Sequence, residues 1–492
     1  PDLFGKSGFL LHDSAATDET ISTLADSDSI PLIPVISDRI GGYDFYPDPR
    51  YLTRDQGSTT NYTGLLKPSY ITSTLRKVLS SPSGPYLSQS FECAGALAAN
   101  CLKNELEAAF RSEYLAGFFL SGLRDNLGVH PSLSGVLDPL SKNKGFFSET
   151  KWRTFCSDTV LMACFPSYIV EAGSSMKCRM LLAYYGKEPI ASPVLSYSMI
   201  DRRSGETISS GQCDLPDIDA PGRHKLCICK LKVPESEVPM SIKLVFELSS
   251  GTVNTRNTYY ISSFPKMSDI PEGELAVSEN TGEIEPEFFT STGTRPYSSR
   301  LFKVSLAKNA EEALEFAKTP GAVLLYANDL PCTKSVKVSY APEVGPARDL
   351  NSYSATKGKP GGPGTYGLVI NSSHPAISDF ISDACTTPEW YRIVNGSRAV
   401  ILDGAGISPI VRVIDSPSRN HLLGMIFEVS VDDLPARILV CTADLPSLIK
   451  ENCAEALFLQ RSMFSYLVST VNRLRQLEVQ TVTSDAFLNL FN

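Results

Sequence analysis

The sequence predicts a multidomain fold, α/β plus β, in which two α/β segments flank an all-β segment. Three observations carry this. Across residues 1–157 short apolar runs alternate with stretches of helical period. After Ser157 the pattern becomes two-residue alternation, punctuated by turn signals, as far as Pro265. From about Arg300 strands and helices alternate again. A length of 492 residues suits about three domains at roughly 150 residues each, every one able to bury a core of its own.

Pro31-Leu-Ile-Pro-Val-Ile-Ser37 is a short apolar run that empties into Asp38-Arg39-Ile40-Gly41-Gly42, the pattern of a buried parallel strand and its loop. A polar, aromatic connection from Tyr43 to Lys67 follows. Helices are expected over Tyr70–Ser80 and Ser90–Arg111. The second places Phe91, Ala94, Leu97, Ala98, Cys101, Leu102 and Leu106 at helical spacing, one face for covering a sheet. Leu115–Leu120 reads as the next buried strand, with Arg124-Asp125-Asn126 beyond it. Ser148 caps a helix reaching about Cys156.

Strands are expected over Ser175–Tyr185, Val194–Asp201, Lys225–Val233, Ser241–Ser249 and Val253–Ser262. Many short strands without helical period predict an immunoglobulin-like β-sandwich over 158–265. Residues 266–299 read as an acidic linker or strap, with seven acidic residues against one Lys between Lys266 and Thr290. The remainder, 300–492, reads as a C-terminal α/β domain. Its strands are Leu301–Leu306, Ala322–Ala327 and Ile438–Cys441, and its helices Ala310–Lys318 and Ala454–Arg473.

Apolar content of 42%, charged content of 20% and a net charge of −9 describe an ordinary acidic surface, which disfavours nucleic acid and anionic membranes as partners. No apolar run approaches the ~18 residues of a spanning helix. The best stretch, Thr159–Val170, contains Pro166. The chain opens at Pro1 without initiator Met or leader pattern, which reads as a processed or truncated beginning.

The twelve cysteines form no C-x-x-C pair and no Cys/His cluster at zinc spacing, so neither metal nor cofactor is expected. Cys227 and Cys229 share one side of a strand, and Cys93 and Cys101 one face of a helix. Buried free thiols are favoured over a disulfide framework. Sequons at Asn61, Asn371 and Asn395 are compatible with an extracellular, cell-surface or lumenal location.

Short motifs resolve into local structure. Gly5-Lys6-Ser7 has no strand before it, and the upstream glycine of a phosphate loop cannot be seen. His12-Asp13-Ser14 is a surface turn, because triad members meet through the fold. Gly358–Gly364 carries prolines where a phosphate cradle needs N–H donors. The five histidines, His12, His130, His224, His374 and His421, are too dispersed for a metal site.

Several ordered blocks resemble another family. Tyr46-Pro-Asp48, Tyr62-Thr-Gly-Leu-Leu-Lys-Pro68, Leu115–Gly128, Gly135-Val-Leu-Asp138, Lys144-Gly-Phe146 and Trp152–Cys156 resemble the last barrel strand, its preceding connection and its following segment in bacterial glycoside hydrolase family 2-like proteins. Lys359–Val369, His374-Pro375, Pro409–Asp415, Arg419–Glu428 and Arg437–Leu445 resemble their C-terminal domain, in the same order. The resemblance implies that 1–157 is the C-terminal part of a (β/α)8 barrel, whose catalytic carboxylates would stand about 5 Å apart for retaining hydrolysis. The acid/base would lie upstream of Pro1. Where the family commonly reads His-Glu-x-Gly-Gln at the nucleophile, this chain reads Asp38-Arg39-Ile40-Gly41-Gly42.

A guanidinium in that seat removes the nucleophile and the negative charge that stabilises an oxocarbenium-like transition state. Asp38 is one residue early and shorter than Glu. In a regular strand it points to the opposite side, where an ion pair is the simpler role. Candidate carbohydrate contacts are Arg124 and Asp125 beyond the last strand, and Trp390 with Tyr391, for which buried packing is the simpler role. Roughly two strands of an eight-strand barrel leave open edges, so a partner is expected: the N-terminal half of the same precursor or another chain. The leading expectation is a non-catalytic, carbohydrate-binding or structural component of a larger extracellular or lumenal assembly. An active retaining glycosidase completed by a missing half, and a surface-coat or virion structural protein, remain alternatives.

Overall fold

The computed structural model describes residues 35–41, 43, 45–50, 69–112, 115–125, 133–139, 141–266, 304–340, 364–471 and 479–492. Asn61, Gly42, the two N-terminal motifs, His130, the acidic segment beyond Lys266 and the glycine–proline segment up to Pro363 lie outside them. The described residues of 1–73 and 94–265 form one compact unit, and those of 74–93, 266–340 and 364–492 form a second. The architecture is mixed α/β with substantial β-sheet.

In the first unit β1 (Val35–Gly41) and β2 (Leu115–Ser121) pair in parallel as a two-stranded sheet. Ser37 pairs with Phe118 and Ile40 with Leu120, so β1 carries one residue more than β2 between these pairs. The surplus is a bulge at Asp38-Arg39. The helix Leu87–Arg111 buries the apolar stripe read from the sequence, with Ala94, Ala98, Cys101 and Leu106 fully enclosed. Ser148 caps the helix Glu149–Arg153 by accepting the Lys151 N–H at 3.0 Å.

Eight strands follow: β3 (Thr159–Cys164), β4 (Ile169–Glu171), β5 (Ser175–Tyr184), β6 (Val194–Asp201), β7 (Thr207–Asp214), β8 (Gly222–Lys232), β9 (Met240–Ser249) and β10 (Asn254–Phe264). They form a three-stranded sheet, β3-β5-β8, and a five-stranded one, β4-β10-β9-β6-β7. Leu161, Met180, Leu182 and Leu231 of the first pack on Leu195, Leu244, Phe246 and Ile261 of the second, a sandwich-like core. On the outer face of the smaller sheet Val160, Met162 and Leu181 meet Phe110 of the helix Leu87–Arg111. One turn earlier, buried Glu107 accepts Asn257 Nδ2 at 2.8 Å and the Tyr259 hydroxyl at 2.9 Å. This ties helix to sandwich through satisfied polar groups.

The second unit contains β11 (Val304–Ala307), β12 (Ala322–Tyr326), β13 (Ser335–Lys337), β14 (Leu368–Ile370), β15 (Arg398–Ile401), β16 (Val411–Val413), β17 (Leu423–Val431), β18 (Arg437–Cys441) and β19 (Thr481–Val482). They form one mixed sheet, β11-β12-β18-β17-β15-β13, to which β16 and β19 attach along β17 and β14 along β16. Phe427, Val429 and Val431 of β17 enter one core with Ile438 and Val440. Residues between them face the other way, where Tyr466 of the helix Ala454–Val471 meets Glu428.

A disulfide joins Cys93 to Cys385, a pairing across 292 residues, and the other ten cysteines are free thiols. Cys101, which shares a helix face with Cys93, is buried and unpaired. Among the described residues no helix is long and apolar enough to cross a membrane, and no group of three or more His, Cys, Asp or Glu is placed to hold a metal ion.

Candidate functional site

The carboxyl ends of β1 and β2 stand side by side, with Gly41 opposite Ser121. Gly41 has φ +84° and donates its N–H to buried Glu105 Oε2 at 2.8 Å, so the strand end is pinned from the helix Leu87–Arg111. Asp38 and Arg39 lie in β1 at the bulge.

Beyond β2 the chain turns back on itself. Arg124 bridges Leu137 and is exposed, while Asp125 is buried. A Cβ on Gly135 would stand 2.2 Å from the backbone of Arg124 and Asp125, so only glycine permits the approach. The Gly135 N–H reaches Asp125 Oδ1 at 3.0 Å, and Lys144 Nζ reaches the same oxygen at 2.7 Å. Lys144 is itself buried, donates to the Leu133 carbonyl at 3.0 Å and sits 4.3 Å from the centre of the Phe45 ring. Burial draws its pKa below the ordinary lysine value, against the pull of Asp125.

A further acidic group of the region, buried Asp48, takes the Arg50 guanidinium through both oxygens at 2.8 and 2.9 Å. That guanidinium also donates to the Lys144 carbonyl at 3.0 Å. Asp125 and Asp48 are therefore each locked to a cation, which suits anchoring loops.

The aromatic candidates lie in the second unit. Trp390 is fully buried, its indole N–H donates to Ser382 Oγ at 2.9 Å, and its ring meets Phe380 edge-on. It offers no open face for a sugar ring. Tyr391 is half-buried, edge-on to Tyr340 at 5.1 Å. Asn371 and Asn395 are both exposed, and Asn395 lines a cleft of about 610 Å³ with Arg392 and Asp444.

A second cleft, of about 660 Å³, is walled by Asn371, His374, Ser408, Gln480 and Thr481 and includes Glu428. Glu428 escapes a reading of the sequence, because one acid in Leu423-Gly-Met-Ile-Phe-Glu-Val-Ser-Val431 reads as a strand irregularity. The available signal is that strand itself, apolar on both faces except at Glu428 and Ser430. His374, in the sequence one of a scattered set, accepts the Ala376 N–H with Nδ1 at 3.2 Å. The ring proton of its neutral form is thereby on Nε2.

Compared with known families, residues 304–484 match a family model described as a domain of unknown function (DUF8487). No curated protein matches the chain. Among solved structures, a putative beta-galactosidase from Bacteroides fragilis aligns at 15% identity and TM-score 0.17, over 20% of this chain and 15% of that one. An exo-beta-D-glucosaminidase, CsxA, aligns at 10% identity and TM-score 0.28, over 45% of this chain and 26% of that one. A CARDB domain from Pyrococcus furiosus aligns at 11% identity and TM-score 0.17, over 22% of this chain and 87% of that one. Weak structural neighbours thus include glycosidases alongside unrelated proteins, and overlap of this extent carries no activity across.

Proposed function

We propose that this chain is a non-catalytic, glycoside hydrolase-like protein that serves as a carbohydrate-binding or structural component of a larger extracellular or lumenal assembly. The observation that carries the reading is the ion pair between Asp125 and Lys144 at the end of β2. A carboxylate whose Oδ1 is held 2.7 Å from a buried ammonium and 3.0 Å from a backbone N–H is committed to joining loops, a role that supports a structural and not a catalytic carboxylate here. Asp48 is likewise paired, with Arg50, and on the sequence resemblance the seat of the family nucleophile reads Arg39. In this reading β1 and β2 are the closing strands of a (β/α)8 barrel whose remaining strands come from the N-terminal half of the same precursor or from another chain. The two-stranded sheet supports it, as do Phe119, 64% exposed, and Leu123, 60% exposed, apolar side chains that a neighbour would cover.

The test is incubation of the full chain, alone and with its upstream region, with aryl glycosides and 2-fluoro glycosides, beside a glycan array. The expected result is no turnover, no covalent adduct and retention of at least one glycan. A mass increase of one glycosyl unit on an Asp or Glu would overturn the non-catalytic reading, and an array without retained glycans would overturn carbohydrate binding.

A further inference from the structure

We infer that the cleft around Glu428 and His374 in the second unit is a binding site for a small neutral polyhydroxylated molecule, a monosaccharide or a short glycan end. The inference rests on the carbohydrate-binding reading above and gives it an address.

Glu428 belongs to β17, a strand otherwise almost wholly buried and apolar, and is itself 7% exposed. Burying a carboxyl group is costly unless its oxygens are satisfied, in the manner of any charge withdrawn from water. Here one oxygen is provided for: Oε2 accepts the Tyr466 hydroxyl at 2.7 Å and lies 4.0 Å from Arg437. The other oxygen, Oε1, is buried and has no hydrogen-bond partner among the described residues. The same side chain lines the cleft, so a ligand seated there meets a carboxyl group already held in place by Tyr466.

The surroundings specify the ligand. Tyr466 links the two principal groups, since its ring meets the His374 imidazole edge-on at 5.2 Å while its hydroxyl holds Glu428. His374 uses Nδ1 on the Ala376 N–H, which leaves Nε2–H as a donor, and burial keeps the ring neutral by lowering its pKa. Asn371 at the rim takes the Ser373 hydroxyl on Oδ1 at 2.8 Å. The walls thus offer amide, hydroxyl and imidazole groups of mixed donor and acceptor character, and Pro409 and Ile410 add an apolar surface. Among the described residues Glu428 is the one acid or base of full charge lining the cleft, and burial raises its pKa towards the neutral acid. An anion would meet no cation in that lining, and an ammonium would need the ionised acid that burial opposes. Hydroxyl groups, which donate and accept at once, match the lining, and the apolar wall suits the C–H face of a sugar ring. The volume lies within the range of small-ligand sites.

The experiment is saturation-transfer NMR and calorimetric titration of the full chain with glucose, galactose, mannose and N-acetylglucosamine, repeated on Asn371→Ala and Glu428→Gln. Asn371 is exposed, so its variant keeps the fold even where Glu428→Gln does not. The expected result is binding of at least one sugar, weakened about ten-fold or more in each folded variant. If a sugar binds and both variants bind it equally, the site is elsewhere: this inference falls and the carbohydrate-binding reading stands. If no sugar binds the chain in either assay or on the array, both fall, and the cleft holds only water.

Discussion

Lys144 Nζ stands 2.7 Å from Asp125 Oδ1 with both side chains almost wholly withdrawn from solvent. Breaking such a pair from one side is costlier than removing it whole, because the remaining charge keeps its desolvation cost and loses its compensation. Lys144→Met is expected to destabilise the first unit by about 3–5 kcal/mol. The double variant Asp125→Asn/Lys144→Met is expected to recover a large part of that loss. Urea unfolding followed by circular dichroism measures both. Equal losses in the single and double variants would show that the stranded carboxylate is not what makes the single variant unstable.

What was legible in the sequence was whatever repeats along the chain. Phe91, Ala94, Leu97 and Cys101 repeat at helical spacing, and the helix Leu87–Arg111 is present. The alternation in Val194–Asp201 likewise yields β6. What was not legible depends on partners far away in sequence. Glu107 looks like a surface acid of that helix until Asn257 and Tyr259 arrive from β10. The extra residue between Ser37 and Ile40 in β1 appears only against the register of β2. The partner of Cys93 was invisible for the same reason, since the spacing showed only a helix face shared with Cys101 and the bond goes to Cys385.

His421 offers a pH readout. Its Nδ1 lies 2.6 Å from Asp403 Oδ2, while Asp403 Oδ1 accepts the Leu422 N–H at 2.8 Å. The hydrogen bond to Asp403 raises the imidazole pKa, burial opposing it. A group whose folded pKa is raised contributes fully below its unfolded value of about 6.5, and the contribution fades as pH rises through the higher folded value. Both side chains are about one-third exposed, so the effect stays under about 1 kcal/mol after screening. Wild type is expected to lose slightly more thermal stability than His421→Gln between about pH 6 and 8. Parallel melting curves would remove the pair as a contributor.

The bond between Cys93 and Cys385 closes a loop of 292 residues in sequence, both ends lying in the second unit. Cross-links restrict the unfolded chain, and loss of a native one typically costs about 2–4 kcal/mol. Cys93→Ser/Cys385→Ser is expected to lower the unfolding midpoint of the second unit by a corresponding amount. Non-reducing peptide mapping should find residues 93 and 385 in one linked fragment. Recovery of both as free alkylated thiols from unreduced protein would contradict the pairing.

The two tryptophans separate the units optically, because Trp152 lies in the first and Trp390 in the second. In Trp152→Phe the remaining indole is fully buried beside Phe380 with its N–H on Ser382. Emission should therefore be blue-shifted in the native state, resist quenching by iodide and move to the red on unfolding. Trp390→Ala should cost about 3–5 kcal/mol, as deletion of a large enclosed aromatic does. Sugars bound by the chain should leave the Trp390 emission unchanged at the wavelength of its maximum. A native maximum at the long-wavelength position of exposed indole, together with ready quenching, would contradict its enclosure and return this ring to the sugar-contacting candidates.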